Sequence, residues 1–257
     1  MIAKYLFAVL AAFVSLSVVD GAAFAAYKDK KIEESIRKSY VFQSYLKDDA
    51  ITVESKKGVV TLTGTVSEET HITMAGETVA SLYGVRSVDN KLAVKGERPA
   101  ENSDAWVGAR VKTMLFFHRS VSGIKTEVSV KEGVVTLRGE AHSQAQKELT
   151  TEYAKDVEGV KDVKNEMTVG KEPKAEKATV GENIDDTSIT AQAKLSMLLH
   201  RSTRVLKTHV ETSHGVVTLK GTVSSIAQKD LITKLVEDIN GVTKVHNKMT
   251  VAKPKVQ

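Results

Sequence analysis

The 257-residue chain has 37 Lys and Arg against 32 Asp and Glu, a formal net charge of +5, and no cysteine. The missing thiol excludes disulfides, thiolate metal sites, a cysteine nucleophile and a lipidated N-terminal cysteine. The positive charge is uneven: residues 27–96 hold 11 basic and 10 acidic groups, residues 101–170 hold 10 and 11, and residues 184–257 hold 11 and 6, so the surplus lies in the last third.

In chain order the first element is an export signal. Residues 1–25 open on Lys4, run mostly apolar from Tyr5 to Val19 and reach an A-x-A pattern at Ala23 and Ala25, which predicts cleavage after Ala25. About 15 apolar residues fall short of the roughly 20 that a bilayer-spanning helix needs. An exported, cysteine-free chain points to the periplasm, where a basic surface faces anionic lipid head groups or an acidic partner rather than nucleic acid.

The rest of the chain is one unit written three times. GVVTLTGTV from Gly58 recurs as GVVTLRGEA from Gly133 and GVVTLKGTV from Gly215. Always 26 residues later come Gly84, Gly159 and Gly241, opening GVRSVDNKLAV, GVKDVKNEMTV and GVTKVHNKMTV. Two anchors at one separation in three copies define a repeat. Its copies are residues 27–96, 102–170 and 184–253. They are joined by the charged, proline-containing stretches 96–102 and 171–183, which read as linkers.

Each unit reads as helix, strand, strand, helix, strand. In the third, Ile189, Ala193, Leu195, Met197, Leu198 and Leu199 form an apolar stripe behind Asp185, Asp186 and Thr187 as candidate caps. A short strand with Thr52-Val53, Glu127-Val128 or His209-Val210 leads to Lys57-Gly58, Glu132-Gly133 or His214-Gly215. There a tight turn needs positive φ, and the following Val-Val-Thr-Leu is strand composition. The repeated nine residues are thus a hairpin turn and a central strand. Gly64, Gly139 and Gly221 inside it mark a bulge or a close backbone approach. Ser143-x-x-Gln146 and Ser225-x-x-Gln228 predict capping boxes on the second helix. Ala227, Leu231, Leu235 and Ile239 predict its buried face, with Gly84, Gly159 and Gly241 as helix C-terminal glycines. Asn90, Asn165 and Asn247 fall in phase with the apolar residues of the last strand and are expected to clamp backbone groups. The fold class is α+β: three tandem αββαβ sandwiches, each a small mixed three-stranded sheet with two helices on one face.

The two phrases, their spacing and this element order resemble the BON domain, named after bacterial osmotically induced and nodulation proteins. The resemblance covers the mature chain as three copies and is similar to the layout of periplasmic osmotically inducible proteins. It implies binding at the cell envelope, to phospholipid or membrane surfaces, rather than catalysis, and it brings no catalytic motif and no cofactor.

The residues that could carry chemistry have plainer readings. His118-Arg119-Ser120 and His200-Arg201-Ser202 end the first helix in units two and three, but unit one has Gln43-Ser44-Tyr45, and no carboxylate follows at a fixed offset. Basic groups at a helix C-terminus are stabilising in their own right. His200, His209, His214 and His246 lack metal-ligand spacing, so no metal site is expected. Phe116-Phe117 reads as core. A glycine pair without Lys-Ser/Thr is no phosphate loop. No ionisable constellation is common to the copies, so the chain is expected not to be an enzyme. The leading expectation is a non-catalytic envelope protein, linked to envelope or osmotic stress, that attaches to anionic phospholipid or membrane surfaces through Lys194, Arg201, Arg204 and Lys207. The alternative is a periplasmic chaperone or adaptor whose linked modules bind envelope proteins with avidity.

Overall fold

The computed structural model describes residues 25–121, 126–170, 184–204 and 208–252. The predicted signal segment up to residue 24, the 171–183 linker and Lys207 lie outside the described residues.

The order is α1 (25–38), β1 (Ala50–Lys56), β2 (Val59–Val66), α2 (Glu69–Ala80) and β3 (Ser87–Val94) in unit one. Unit two follows as α3 (Asp104–Phe117), β4 (Thr126–Lys131), β5 (Val134–Ala141), α4 (Gln144–Lys155), β6 (Asp162–Asn165) and β7 (Thr168–Val169). Unit three is α5 (Asp186–Leu199), β8 (Thr208–Ser213), β9 (Val216–Val223), α6 (Ile226–Glu237), β10 (Lys244–Asn247) and β11 (Thr250–Val251). In each unit the second strand is central, antiparallel to the first and parallel to the last. This is the α+β arrangement expected from the sequence.

The hairpin turn explains the most repeated residues. Lys56 pairs with Val59 across two residues, Lys57 at φ 53° and Gly58 at φ 78°, the paired positive φ of a type I′ turn that follows the twist of the strands. Glu132-Gly133 and His214-Gly215 repeat the geometry. An aspartate in the first turns of each first helix secures it: Asp29 accepts from Lys57 and Gly58, Asp104 from Glu132 and Gly133, and Asp186 from His214 and Gly215, all through backbone N–H groups. Asp186 therefore holds the turn, and Asp185 alone caps α5, accepting from Ser188 N–H.

The asparagines clamp as expected. Asn165 Nδ2 donates to the Lys147 carbonyl and Thr151 Oγ1 while its Oδ1 accepts from Met167 N–H. Asn247 repeats this with Lys229, Thr233 and Met249, and Asn90 bonds the Ile72 carbonyl and Leu92 N–H. Gly64 takes φ 118°, and a Cβ there would collide with the Ala50 carbonyl oxygen, so the close-approach reading holds.

Four local expectations are corrected. The second helices end at Ala80, Lys155 and Glu237, short of Gly84, Gly159 and Gly241. A further turn intervenes before each glycine adopts φ between 85° and 93°. On α6 the buried face is Ile232, Leu235 and Val236, continued just past its end by Ile239, whereas the expected Ala227 and Leu231 are exposed, because burial steps by three and four residues rather than by four alone. In the capping boxes Gln146 and Gln228 reach the amides of His142 and Ser224, one residue before the caps Ser143 and Ser225. The last strand is continuous in unit one, but in units two and three it breaks after Asn165 and Asn247 and resumes in the same register.

The units share cores. One apolar cluster runs from Ile36 and Leu62 of unit one through Val107, Phe117 and Leu137 of unit two to Leu195 and Leu199. A second is centred on Met197, Leu219 and Ile232 of unit three. Helix α5 lies against α2, α3 and α6, which is why it is buried nearly all round. Phe117 is fully buried, but its neighbour Phe116 is 37% exposed, correcting the reading of both as core.

Candidate functional site

The His-Arg-Ser tripeptides end α3 and α5, and each docks on the C-terminal end of the second helix of the other unit. Arg119 N–H donates to the Asp238 carbonyl at 2.9 Å, and Arg201 N–H to the Asp156 carbonyl at 2.8 Å. The Arg119 and Arg201 guanidinium groups donate to the carbonyls of Glu237 and Lys155. Ser120 and Ser202 each donate both N–H and Oγ–H to the carboxylates of Asp238 and Asp156. Cations thus meet orphan carbonyls at a helix C-terminus, as the helix dipole favours. The helix belongs to the neighbouring unit, and so do the carboxylates that no fixed offset in sequence revealed.

Between the two docking points the rings of His118 and His200 meet edge to face at 5.8 Å, with Tyr153 4.5 Å from His118. His118 Nδ1 lies 3.4 Å from Asp238 Oδ2, and His200 Nδ1 lies 3.0 Å from Asp156 Oδ2. Tyr153 Oη donates to Asp238 Oδ2 at 2.8 Å. Burial lowers the His118 pKa, against the attraction of the adjacent Asp238 carboxylate. Burial works to raise the Asp238 and Asp156 pKa values, but their histidine, serine and, for Asp238, tyrosine partners together outweigh it and hold both below the ordinary carboxylate value. Burial and the Asp238 charge push the Tyr153 phenol up.

His118 Nε2 also stands 3.0 Å from Ser196 Oγ, so Ser196, His118 and Asp238 have the order of a nucleophile, base and orienting acid. Ser196 is fully buried inside α5 and His118 is 1% exposed. An acyl group must reach the hydroxyl oxygen and find donors for its oxyanion, and a sealed helix face offers no such approach. The arrangement works as packing.

Three of the four predicted lipid-contact residues also lie along the contacts between units. Lys194 pairs with Glu77 of unit one at 2.9 Å, Arg204 pairs with Glu158 of unit two at 2.9 Å, and Arg201 holds the Lys155 carbonyl. The fourth, Lys207, lies outside the described residues. A different basic set faces solvent on the helix-free side of the third sheet. Lys244, His246 and Lys248 alternate outward along β10 and its continuation, and Lys220 on β9 and His209 on β8 are likewise exposed. The acid on this face is Glu211, 3.4 Å from Lys220 and 3.3 Å from His209. Among the described residues Lys244 and Lys248 make no ion pair. The equivalent faces of the other units are balanced, with Arg138 paired to Glu166 in unit two and Lys91 to Asp89 in unit one. Period-two alternation in KVHNK carried this signal, and counting charges by unit found the surplus without its location.

Among the described residues no helix is long and apolar enough to cross a membrane.

The BON-domain family model matches residues 28–96, 103–171 and 185–253. The chain is 35% identical over 144 residues to osmotically-inducible protein Y of Escherichia coli, covering 56% of this chain and 70% of that protein. It is 28% identical over 158 residues to a 21 kDa hemolysin of Actinobacillus pleuropneumoniae, covering 58% and 77%. Among solved structures, CdsD, a structural protein of the type III secretion system of Chlamydia trachomatis, matches at 16% identity over 86% of this chain and 92% of that one, with a TM-score of 0.24.

Proposed function

The chain belongs to the BON-domain family, with three copies in tandem, and on that premise we propose that it is a non-catalytic protein of the bacterial cell envelope that attaches to anionic membrane surfaces through its third unit. The observation that carries this reading is the exposed sheet face of unit three, where five basic side chains surround one carboxylate. Lysines near an anionic surface contribute up to about 1 kcal/mol each, so three acting together hold a protein reversibly without an inserted helix. We assign the main contact to Lys220, Lys244 and Lys248, with the partly engaged Lys194, Arg201 and Arg204, joined by Lys207, as a second basic set. The relationship to a protein named for osmotic induction supports a role in osmotic stress, and the apolar leader ending in the A-x-A pattern at Ala23 and Ala25 supports a periplasmic location.

Co-sedimentation with vesicles of phosphatidylcholine, with and without phosphatidylglycerol, tests the reading. Binding is expected only with the anionic lipid and weakens steeply with salt, as the Debye length falls from ~10 Å at 0.1 M to ~3 Å at 1 M. The triple change Lys220→Glu, Lys244→Glu, Lys248→Glu abolishes it at unchanged melting temperature. Binding that withstands both high salt and those substitutions refutes the electrostatic reading and favours an apolar contact, as in a chaperone or adaptor.

A further inference from the structure

The seam between units two and three has an unusual property: each unit carries both halves of it. Unit two offers His118-Arg119-Ser120 and receives at Asp156 and Val157, while unit three offers His200-Arg201-Ser202 and receives at Asp238 and Ile239. The backbone pairs antiparallel at both points, His118 with Ile239 and Val157 with His200. The serine, arginine and histidine contacts each occur twice with the roles of the units exchanged. A surface in which one patch meets its own equivalent is isologous, the arrangement that closes two identical subunits into a dimer. Unit one has neither half, with Gln43-Ser44-Tyr45 in place of the tripeptide and Ser81 in place of the aspartate, and it packs instead through α2 against α5.

We infer that this seam is a self-complementary docking surface, through which unit three, when released from unit two, pairs with unit three of a second copy of this chain. The two halves in unit three are those that the seam already shows working. Its departures from strict symmetry also bear on the choice of partner. His118 Nε2 has Ser196 as its partner, whereas Met114 stands at the equivalent place in unit two and His200 Nε2 is buried with no hydrogen bond among the described residues. When two copies of unit three pair, each His200 faces Ser196 of the partner subunit, and the orphaned nitrogen gains its acceptor or donor on both sides. The bond lost is that of Tyr153 to Asp238, because unit three has Leu235 at that place. The exchange replaces one satisfied group by another and keeps both backbone pairings.

The test uses the full chain. Arg119→Glu with Asp156→Arg gives unit two like charges against Asp238 and Arg201 while leaving unit three intact. The expected result is a doubling of molar mass by light scattering at about 100 µM, concentration-dependent as an association must be. Asp156→Arg with Asp238→Arg removes the acceptors of both units and is expected to stay monomeric. Combining Arg119→Glu, Asp156→Arg, Arg201→Glu and Asp238→Arg restores opposite charges across the seam within one chain and should return the monomer. Arg119→Ala with Asp156→Ala, which adds no charge, serves as a milder release. A folded release variant that remains monomeric overturns the inference. So does loss of the folded state in both release variants, which would mean that the seam is part of unit two's own fold rather than a surface on it.

Discussion

Replacing Asp238 by alanine is the most informative single perturbation of the seam. The carboxylate accepts from Ser120 N–H, Ser120 Oγ and Tyr153 Oη, has His118 Nδ1 at 3.4 Å, and is only 11% exposed. Hydrogen bonds to a charged acceptor contribute about 1.5–3 kcal/mol each, less when several share one group. Ser120 and Arg119 lie at the rim and rehydrate when the carboxylate is removed, whereas the half-buried Tyr153 hydroxyl is left without its acceptor and the buried His118 loses the charge beside it. The loss therefore comes to about 3 kcal/mol, dominated by the groups left without a partner. Asp156→Ala provides the internal comparison: its side chain is 22% exposed, it has no tyrosine partner, and Leu235 stands opposite, so it should cost about 2 kcal/mol. Urea denaturation of the full chain, followed by the fluorescence of the single tryptophan, Trp106, and by far-UV circular dichroism, measures both. A smaller loss for Asp238→Ala than for Asp156→Ala, or an unmoved midpoint in both, would refute this role of the two carboxylates.

Two further predictions concern pH and glycine. Burial holds the His118 pKa below its ordinary value of 6.5, so the unfolded chain binds more protons between the two values, and stability is full above about pH 6.5 and falls as pH drops toward the folded value. Asp156 and Asp238, held below 3.8, keep their contribution above that pH and lose it below. Melting temperature against pH should thus decline in two stages, and His118→Gln should remove the upper stage and leave the lower one. An unchanged upper stage in that variant would transfer it to another group. Gly64→Ala and Gly96→Ala compare two positive-φ glycines. At Gly96 nothing lies within 4 Å of an added Cβ, so the cost is about 1 kcal/mol of backbone strain. At Gly64 the Ala50 carbonyl blocks it, so the hairpin must separate and the loss should exceed about 3 kcal/mol. Equal thermal shifts in the two would show that φ alone matters.

The sequence by itself determined the unit. Turn chemistry at Lys57-Gly58 and its copies, strand composition after it, and the clamp asparagines are local signals, legible because each acts within hydrogen-bonding reach of residues at a fixed separation. Repetition confirmed them, since a spacing kept three times filters out chance. The role of Asp29, Asp104 and Asp186 is not a local signal, because an aspartate near a helix start reads as a cap and its partners lie 28 or 29 residues away. The assembly was decided only by tertiary structure. His118-Arg119-Ser120 looked like a helix end without a carboxylate because its carboxylate, Asp238, belongs to another copy, and no period within one unit encodes a contact between units. Lys194 and Arg204 looked like free charge for the same reason: their acids, Glu77 and Glu158, are supplied by the other two units. Charge could be counted along the chain, but which cations are neutralised and which face water depends on how the helices pack, and that packing left the third sheet, rather than the third unit's first helix, as its basic face.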